Sequence, residues 1–143
     1  MKNICATDQS LTTLLEAKGI SPTSQRVQVL RALRDRCEHL SAEDVFVCVN
    51  RDSPAVSKAT VYNTLSLFVE RGLIREVIAD PTRIYYDPNI EPHHHIYNST
   101  TGQLTDIHLD DVQIQGLPNL APDVRVEGID VIVRVRSERP QPD

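Results

Sequence analysis

The chain has 143 residues, no tryptophan, 4% aromatic residues and a net charge of −5, enough for one domain or two small ones with cores built from aliphatic side chains. No apolar run approaches the ~20 residues of a bilayer span, and Met1 to Asp8 lacks the hydrophobic stretch of a signal peptide, so a cytoplasmic protein is expected. The charge excludes a general polyanion binder but is uneven: residues 1–86 carry 11 Lys/Arg and 10 Asp/Glu (+1), residues 87–143 carry 4 and 10 (−6), so only the first part suits a phosphate backbone.

Asp8 or Ser10 can cap a first helix with Leu11, Leu14 and Leu15 at helical spacing, ended by Gly19. Ser21-Pro22 is an N-cap with proline at the first helical position, and predicts a second helix to about Arg36 that buries Val27, Leu30 and Leu33 and leaves Arg26, Arg31 and Arg34 outside. Ser41-Ala42-Glu43-Asp44 is a capping-box pattern opening a third helix to about Asn50. After an Arg51–Pro54 turn, Ser57 caps a fourth helix, Lys58 to Arg71, with Val61, Leu65, Phe68 and Val69 inward and Gly72 as its stop. Its opposite face, Lys58, Tyr62, Asn63 and Ser66, is nearly uncharged, which is unusual for a plain surface helix.

Arg75–Ala79 and Arg83–Tyr86, joined by Asp80-Pro81-Thr82, read as a hairpin with Arg83 near its tip. Helices followed by a two-stranded wing are the winged form of helix-turn-helix, whose last helix enters the major groove, where Asn can pair with adenine and Tyr can meet a thymine methyl or a phosphate. Tyr62 and Asn63 are the expected readers; Ser57, Lys58 and Thr60 are expected near phosphates; Arg26 and Arg83 are backbone or minor-groove candidates. An unspecialised helical bundle is the alternative.

Pro88 and Pro92 forbid a helix before His93-His94-His95, so an extended strand is expected with His93 and His95 on one face and His94 on the other. Ser99–Gly102 is turn chemistry for a four-residue loop. That loop sets His95 opposite Asp106 and His93 opposite His108, a ligand set for zinc, manganese or ferrous iron; a solvated polar face is the bland reading. An irregular stretch from Gly116 to Pro122 precedes a strand expected over 125–136, where Val126, Ile129, Val131, Val133 and Val135 alternate apart from Gly128. So short a region needs a cover, and a second copy of the chain is the natural one. The tail from Pro140 is expected to be disordered.

The cysteines Cys5, Cys37 and Cys48 are odd in number and nowhere spaced as C-x-x-C, so neither a disulfide framework nor a thiolate zinc knuckle is suggested. Cys48 lies in the apolar run Val45–Val49 and reads as core.

Thr23-Ser24-Gln25-Arg26, His39 to Phe46, Ala59 to Leu65, Tyr86-Asp87 and His93-His94-His95, taken in this order, make the chain resemble the ferric uptake regulator family of bacterial transcription factors over nearly its whole length. Within that family the triple histidine, Gly116-Leu117-Pro118 and the ending Ile129–Arg136 look most like the iron response regulators. The resemblance implies an α+β chain: an N-terminal winged helix-turn-helix DNA-binding domain (1–86), a hinge (87–92) and a small C-terminal α/β dimerisation and metal-sensing domain (93–143). It implies a homodimer on palindromic, A/T-rich DNA and one regulatory divalent metal per subunit, held by His39, Asp87, His93, His95 and Asp106.

Manganese or ferrous iron is the implied metal, with zinc able to substitute; haem is a further candidate effector, through His93, His94 or His95. His94 and His108 rank as second-site candidates. The family's usual C-x-x-C, which holds a structural zinc, is here Asn98 and Thr101, so that zinc is not expected and packing is expected to hold the hairpin. No Cys-Pro haem motif occurs. Two other functions stay open: a peroxide sensor, which the resemblance also implies, in which peroxide reacting with bound ferrous iron oxidises His39 or His93, and a metallohydrolase with Glu91 the only nearby glutamate for a base.

Overall fold

The computed structural model describes residues 7–35, 39–51 and 54–138. Cys5, Cys37, the expected end of the second helix at Arg36, the turn at Asp52-Ser53 and the tail from Pro140 lie outside the described residues. The chain divides into two compact units, Met1–Ile90 and Glu91–Asp143. Among the described residues no helix is long and apolar enough to cross a membrane.

In the first unit α1 (Asp8–Ala17), α2 (Ser24–Asp35), α3 (Ala42–Val49) and α4 (Lys58–Glu70) enclose one core, with Leu11, Leu15, Leu30, Leu33, Val45, Val61, Leu65 and Phe68 fully buried. Each such side chain contributes about 1.5–3 kcal/mol. Both long stops are of one kind. After α1 the Gly19 N–H donates to Glu16 O and Ile20 N–H to Leu15 O; after α4 Gly72 donates to Val69 O and Leu73 to Phe68 O. Both glycines sit at φ 71°, the left-handed turn that lets the last carbonyls find donors.

Two starts differ from expectation. Thr7, not Asp8 or Ser10, caps α1, its hydroxyl accepting from Ser10 N at 3.1 Å. The second helix begins at Ser24, because the Thr23 hydroxyl accepts from Arg26 N at 3.2 Å and the Thr23 carbonyl from Val27 N; Pro22 is left outside it. For α3 the capping box is complete, with Asp44 N on Ser41 Oγ (3.3 Å) and Ser41 N on Asp44 Oδ2 (3.0 Å). Ser41→Ala should cost about 1 kcal/mol of stability, read as a lower urea midpoint at unchanged slope; an unchanged midpoint would show the box to be idle.

The wing is β2 (Arg75–Asp80) and β3 (Arg83–Asp87), its turn fixed by Asp80 Oδ1 accepting from Thr82 N and Oγ1. A third strand, β1 (Leu40–Ser41), pairs antiparallel with β3, Leu40 opposite Tyr86 and Ser41 opposite Tyr85. No sequence pattern announced it.

The second unit is a three-stranded sheet in the order β5-β4-β6, with β4 (His94–Asn98) central, β5 (Leu104–Ile107) antiparallel and β6 (Ile132–Val135) parallel to it. The hairpin has the expected register, with His95 opposite Asp106. Its loop closes through Gly102, at φ 76°, donating to Asn98 O at 2.8 Å. The last strand is far shorter than the expected 125–136. The free edge of β4 offers pairing only alongside His95 to Asn98, and alternation beyond that length has no ladder to join.

Among the described residues of this unit, Tyr97 and Leu104 are its buried hydrophobic side chains. Ile114, Leu117, Leu120, Val126, Val133 and Val135 remain exposed.

Candidate metal centre and nucleic-acid face

The hairpin places three electron-pair donors together. His93 and His95, two residues apart, turn to one face, and Asp106 lies across the ladder from His95. The Nε2 atoms of His93 and His95 approach Asp106 Oδ1 to 3.1 and 3.5 Å, and the rings stand 4.5 Å apart. His93 Nδ1 lies 2.6 Å from the Glu91 carbonyl. A carbonyl can only accept, so the Nδ1 proton is fixed there, and a neutral ring would turn its Nε2 lone pair toward the carboxylate. Lone pairs facing an anion are stable only with positive charge between or upon them. Two imidazoles and a carboxylate match borderline divalent cations, and both rings are buried while Asp106 is half exposed.

The first unit holds a second, smaller group. Leu40 pairs with Tyr86, and one step further along the ladder His39 meets Asp87, Nε2 to Oδ2 3.5 Å. Asp87 is fully buried, and its Oδ1 accepts from Asn89 N at 2.9 Å. A buried carboxylate needs that kind of compensation, and the remaining oxygen with the His39 ring gives two more donors of the same chemistry.

On the outer face of α4, Tyr62 and Asn63 are exposed. Tyr62 borders a hollow of about 400 Å³ that it shares with Arg83 and Tyr86; Asn63 borders another, of about 260 Å³, with Thr23, Arg26 and Thr60. Burial, then Glu76 and Tyr62, push the Tyr86 phenol above its ordinary pKa, so it stays a neutral hydrogen-bonding group. Several candidates already have internal partners. Arg26 Nη1 donates to Ser21 O at 2.8 Å, Ser57 Oγ accepts from Thr60 N and donates to Thr60 Oγ1, and Lys58 Nζ lies 3.6 Å from Glu43 Oε1. Arg83 hydrogen-bonds the Tyr85 side chain, which raises its pKa further.

A family model described as the ferric uptake regulator family matches residues 17–128. The chain belongs to this family. Its members are metal-binding, DNA-binding transcription regulators. The peroxide-responsive repressor PerR of Staphylococcus aureus is 31% identical over 99 residues, 69% of this chain and 66% of the relative, so the chain spans just under two thirds of that protein. A zinc-bound manganese uptake regulator superposes with TM-score 0.68 at 20% identity, covering 89% of this chain and 98% of that one. The ferric uptake regulator of Pseudomonas aeruginosa with manganese gives 0.66 at 20%, covering 90% and 98%. At such identities the two structures speak for the fold: winged helix followed by a small sheet domain.

Other expected positions are used differently. Strand β5 stops at Ile107, so His108 does not join His93; it is exposed and its Nδ1 accepts from Asp110 N, capping the short turn Leu109–Asp111. His94 faces away from its neighbours, as expected, and its Nδ1 accepts from Val131 N at 3.1 Å. Where the family's C-x-x-C would stand, Asn98 Oδ1 accepts from Thr100 N and Thr101 N, and its Nδ2 donates to Ser137 Oγ. Hydrogen bonds, not packing alone, hold this end of the hairpin. Sequence reasoning also missed Asn50, whose amide ties the end of α3 to the entry of α4; an Asn at a helix end just before a proline-bearing turn was the available signal.

Proposed function

We propose that the chain is a metal-dependent, homodimeric transcription regulator in which one divalent ion, taken by His39, Asp87, His93, His95 and Asp106 together, sets the affinity for operator DNA. The observation that carries this reading is the His93 Nδ1 lock on the Glu91 carbonyl, with two Nε2 atoms and one Oδ1 converging opposite it. Three donors from the hairpin and two from the first unit are each too few for a protein-bound transition ion, which takes four to six; five on one ion suit manganese or ferrous iron, with zinc able to substitute. An iron response role, with haem as a rival effector, is supported by the triple histidine. A cytoplasmic regulator is the compartment this implies.

The dimer is supported by the second unit's composition: a small sheet with two buried hydrophobic side chains and a broad exposed apolar surface is completed by a second copy, and a two-fold axis also sets two α4 helices one DNA turn apart. In the readout we assign to α4, Asn63→Ala relaxes base preference by about 1–3 kcal/mol at one position per half-site. Lys58→Ala weakens all sequences alike and lowers the salt slope, by less than a free lysine would because Glu43 already neutralises part of its charge. Equal losses on operator and random DNA for both variants would sink that division.

The deciding experiment is operator binding with manganese, ferrous iron, zinc and haem in turn; no difference between any of these and the metal-free protein would refute the proposal. A peroxide-sensing reading is favoured by one observation, the peroxide-responsive repressor among its relatives. It is tested by mass spectrometry for one added oxygen on His39 or His93 after aerobic iron loading. The metallohydrolase reading is disfavoured by membership in a family of regulators.

A further inference from the structure

We propose that His94 is a positioning residue, a side-chain latch that fixes strand β6 in register on the metal-binding strand and thereby presents the valine face used by the partner subunit. The last clause rests on the dimer reading above; the latch itself does not.

A parallel strand has no hairpin turn to set its register. The segment between Asp111 and β6 contains no helix or strand, so the connection cannot set it either. What meets β6 at its start is Val131, and both of its peptide groups are held by consecutive histidines: its carbonyl accepts from His95 N at 3.1 Å and its N–H donates to His94 Nδ1 at 3.1 Å. The far end is closed by the hairpin loop, Ser99 N donating to Val135 O at 2.8 Å and Ser137 N to Thr100 Oγ1 at 3.1 Å. A slip by one residue would put Arg134 and Arg136 on the face where Val133 and Val135 now stand, and the apolar seam would become basic.

The donor at Val131 is a backbone N–H, so His94 Nδ1 must be the acceptor and the neutral ring keeps its proton on Nε2. Neither nitrogen then offers a lone pair to iron without breaking the latch. His94 is also buried. These facts assign it to the sheet and remove it from the haem candidates.

The test compares His94→Asn, whose Oδ1 can stand near the position of Nδ1, with His94→Gln, whose oxygen sits one bond further out. Amide exchange at Val131 through Val135 and the dimer dissociation constant are measured on the full metal-free chain, and haem is titrated by its Soret band. Exchange should be protected in the parent and in His94→Asn and at least ~10-fold faster in His94→Gln, with the dimer weakened in parallel and haem binding unchanged in both. Unprotected Val131 in the parent, or equal protection in both variants, overturns the latch, as does equal loss of haem binding in both without change in exchange. Fast exchange in His94→Gln with an unchanged dimer constant keeps the latch and sinks the valine seam.

Discussion

The metal-dependent change in operator affinity proposed above is expected to be largely lost in both His39→Ala and Asp106→Ala, but by different routes. Asp106 is the carboxylate on which His93 and His95 converge. Without it two imidazoles remain on the hairpin, and manganese affinity should fall by more than the ~10–100-fold that follows loss of an outer-shell partner. His39 is different. Its removal leaves the hairpin trio and Asp87, four donors, so on the five-ligand reading the ion still binds with a modest loss, while one of its two ties to the first unit is gone. Coupling between effector and DNA cannot exceed the ion's preference for one arrangement of the two units, typically ~1–3 kcal/mol or ~5–150-fold. His39→Ala should remove most of that factor with most of the metal affinity retained. Titration calorimetry with manganese and fluorescence anisotropy on operator DNA, at one fixed salt concentration, separate the two variants. A His39→Ala protein that keeps the parent's metal response would mean that His39 is not part of the sensor.

The parts of this chemistry that were legible in the sequence are those where one short stretch sets the geometry. Gly102 at the end of a four-residue loop fixes the hairpin, and with it His95 opposite Asp106; Ser41 with Asp44, and Ser57 ahead of Lys58, fix two helix starts. His39 facing Asp87 was not legible from spacing, because it depends on β1, a two-residue strand hidden in the lead-in to a capping box, meeting a strand more than forty residues away; only the family resemblance pointed there. Alternation overreached in the opposite sense. Val126 to Val135 look like one long strand, but pairing stops where β4 stops. His108 fails for a similar reason: the register that pairs His94 with Ile107 would bring it to His93, yet the ladder ends one residue earlier and the ring turns to cap Asp110.

Asn50→Ala should be among the most destabilising polar substitutions in the first unit, at about 2–4 kcal/mol. An amide side chain offers two donors and two acceptor lone pairs, and Asn50 uses all four: Nδ2 donates to Phe46 O and Val56 O at 2.9 Å each, and Oδ1 accepts from Ala55 N at 2.8 Å and Val56 N at 2.9 Å. Val56 is buried, so its N–H and carbonyl would be left without partners where water cannot easily follow, at about 1–3 kcal/mol each; Ala55 is exposed and can be rehydrated, which keeps the total below four full penalties. For a unit of this size each kcal/mol lowers Tm by roughly 4–8 °C. Asn50→Asp, which keeps the two acceptor bonds and loses the donor ones, should fall between parent and alanine. The same amide sets where Ser57 begins α4, so the surviving folded fraction of Asn50→Ala should discriminate less well between operator and random DNA, whereas a cavity made elsewhere in the core would lower Tm and leave discrimination alone. A variant that melts with the parent would show that the turn into α4 is held by the chain around it and not by this amide.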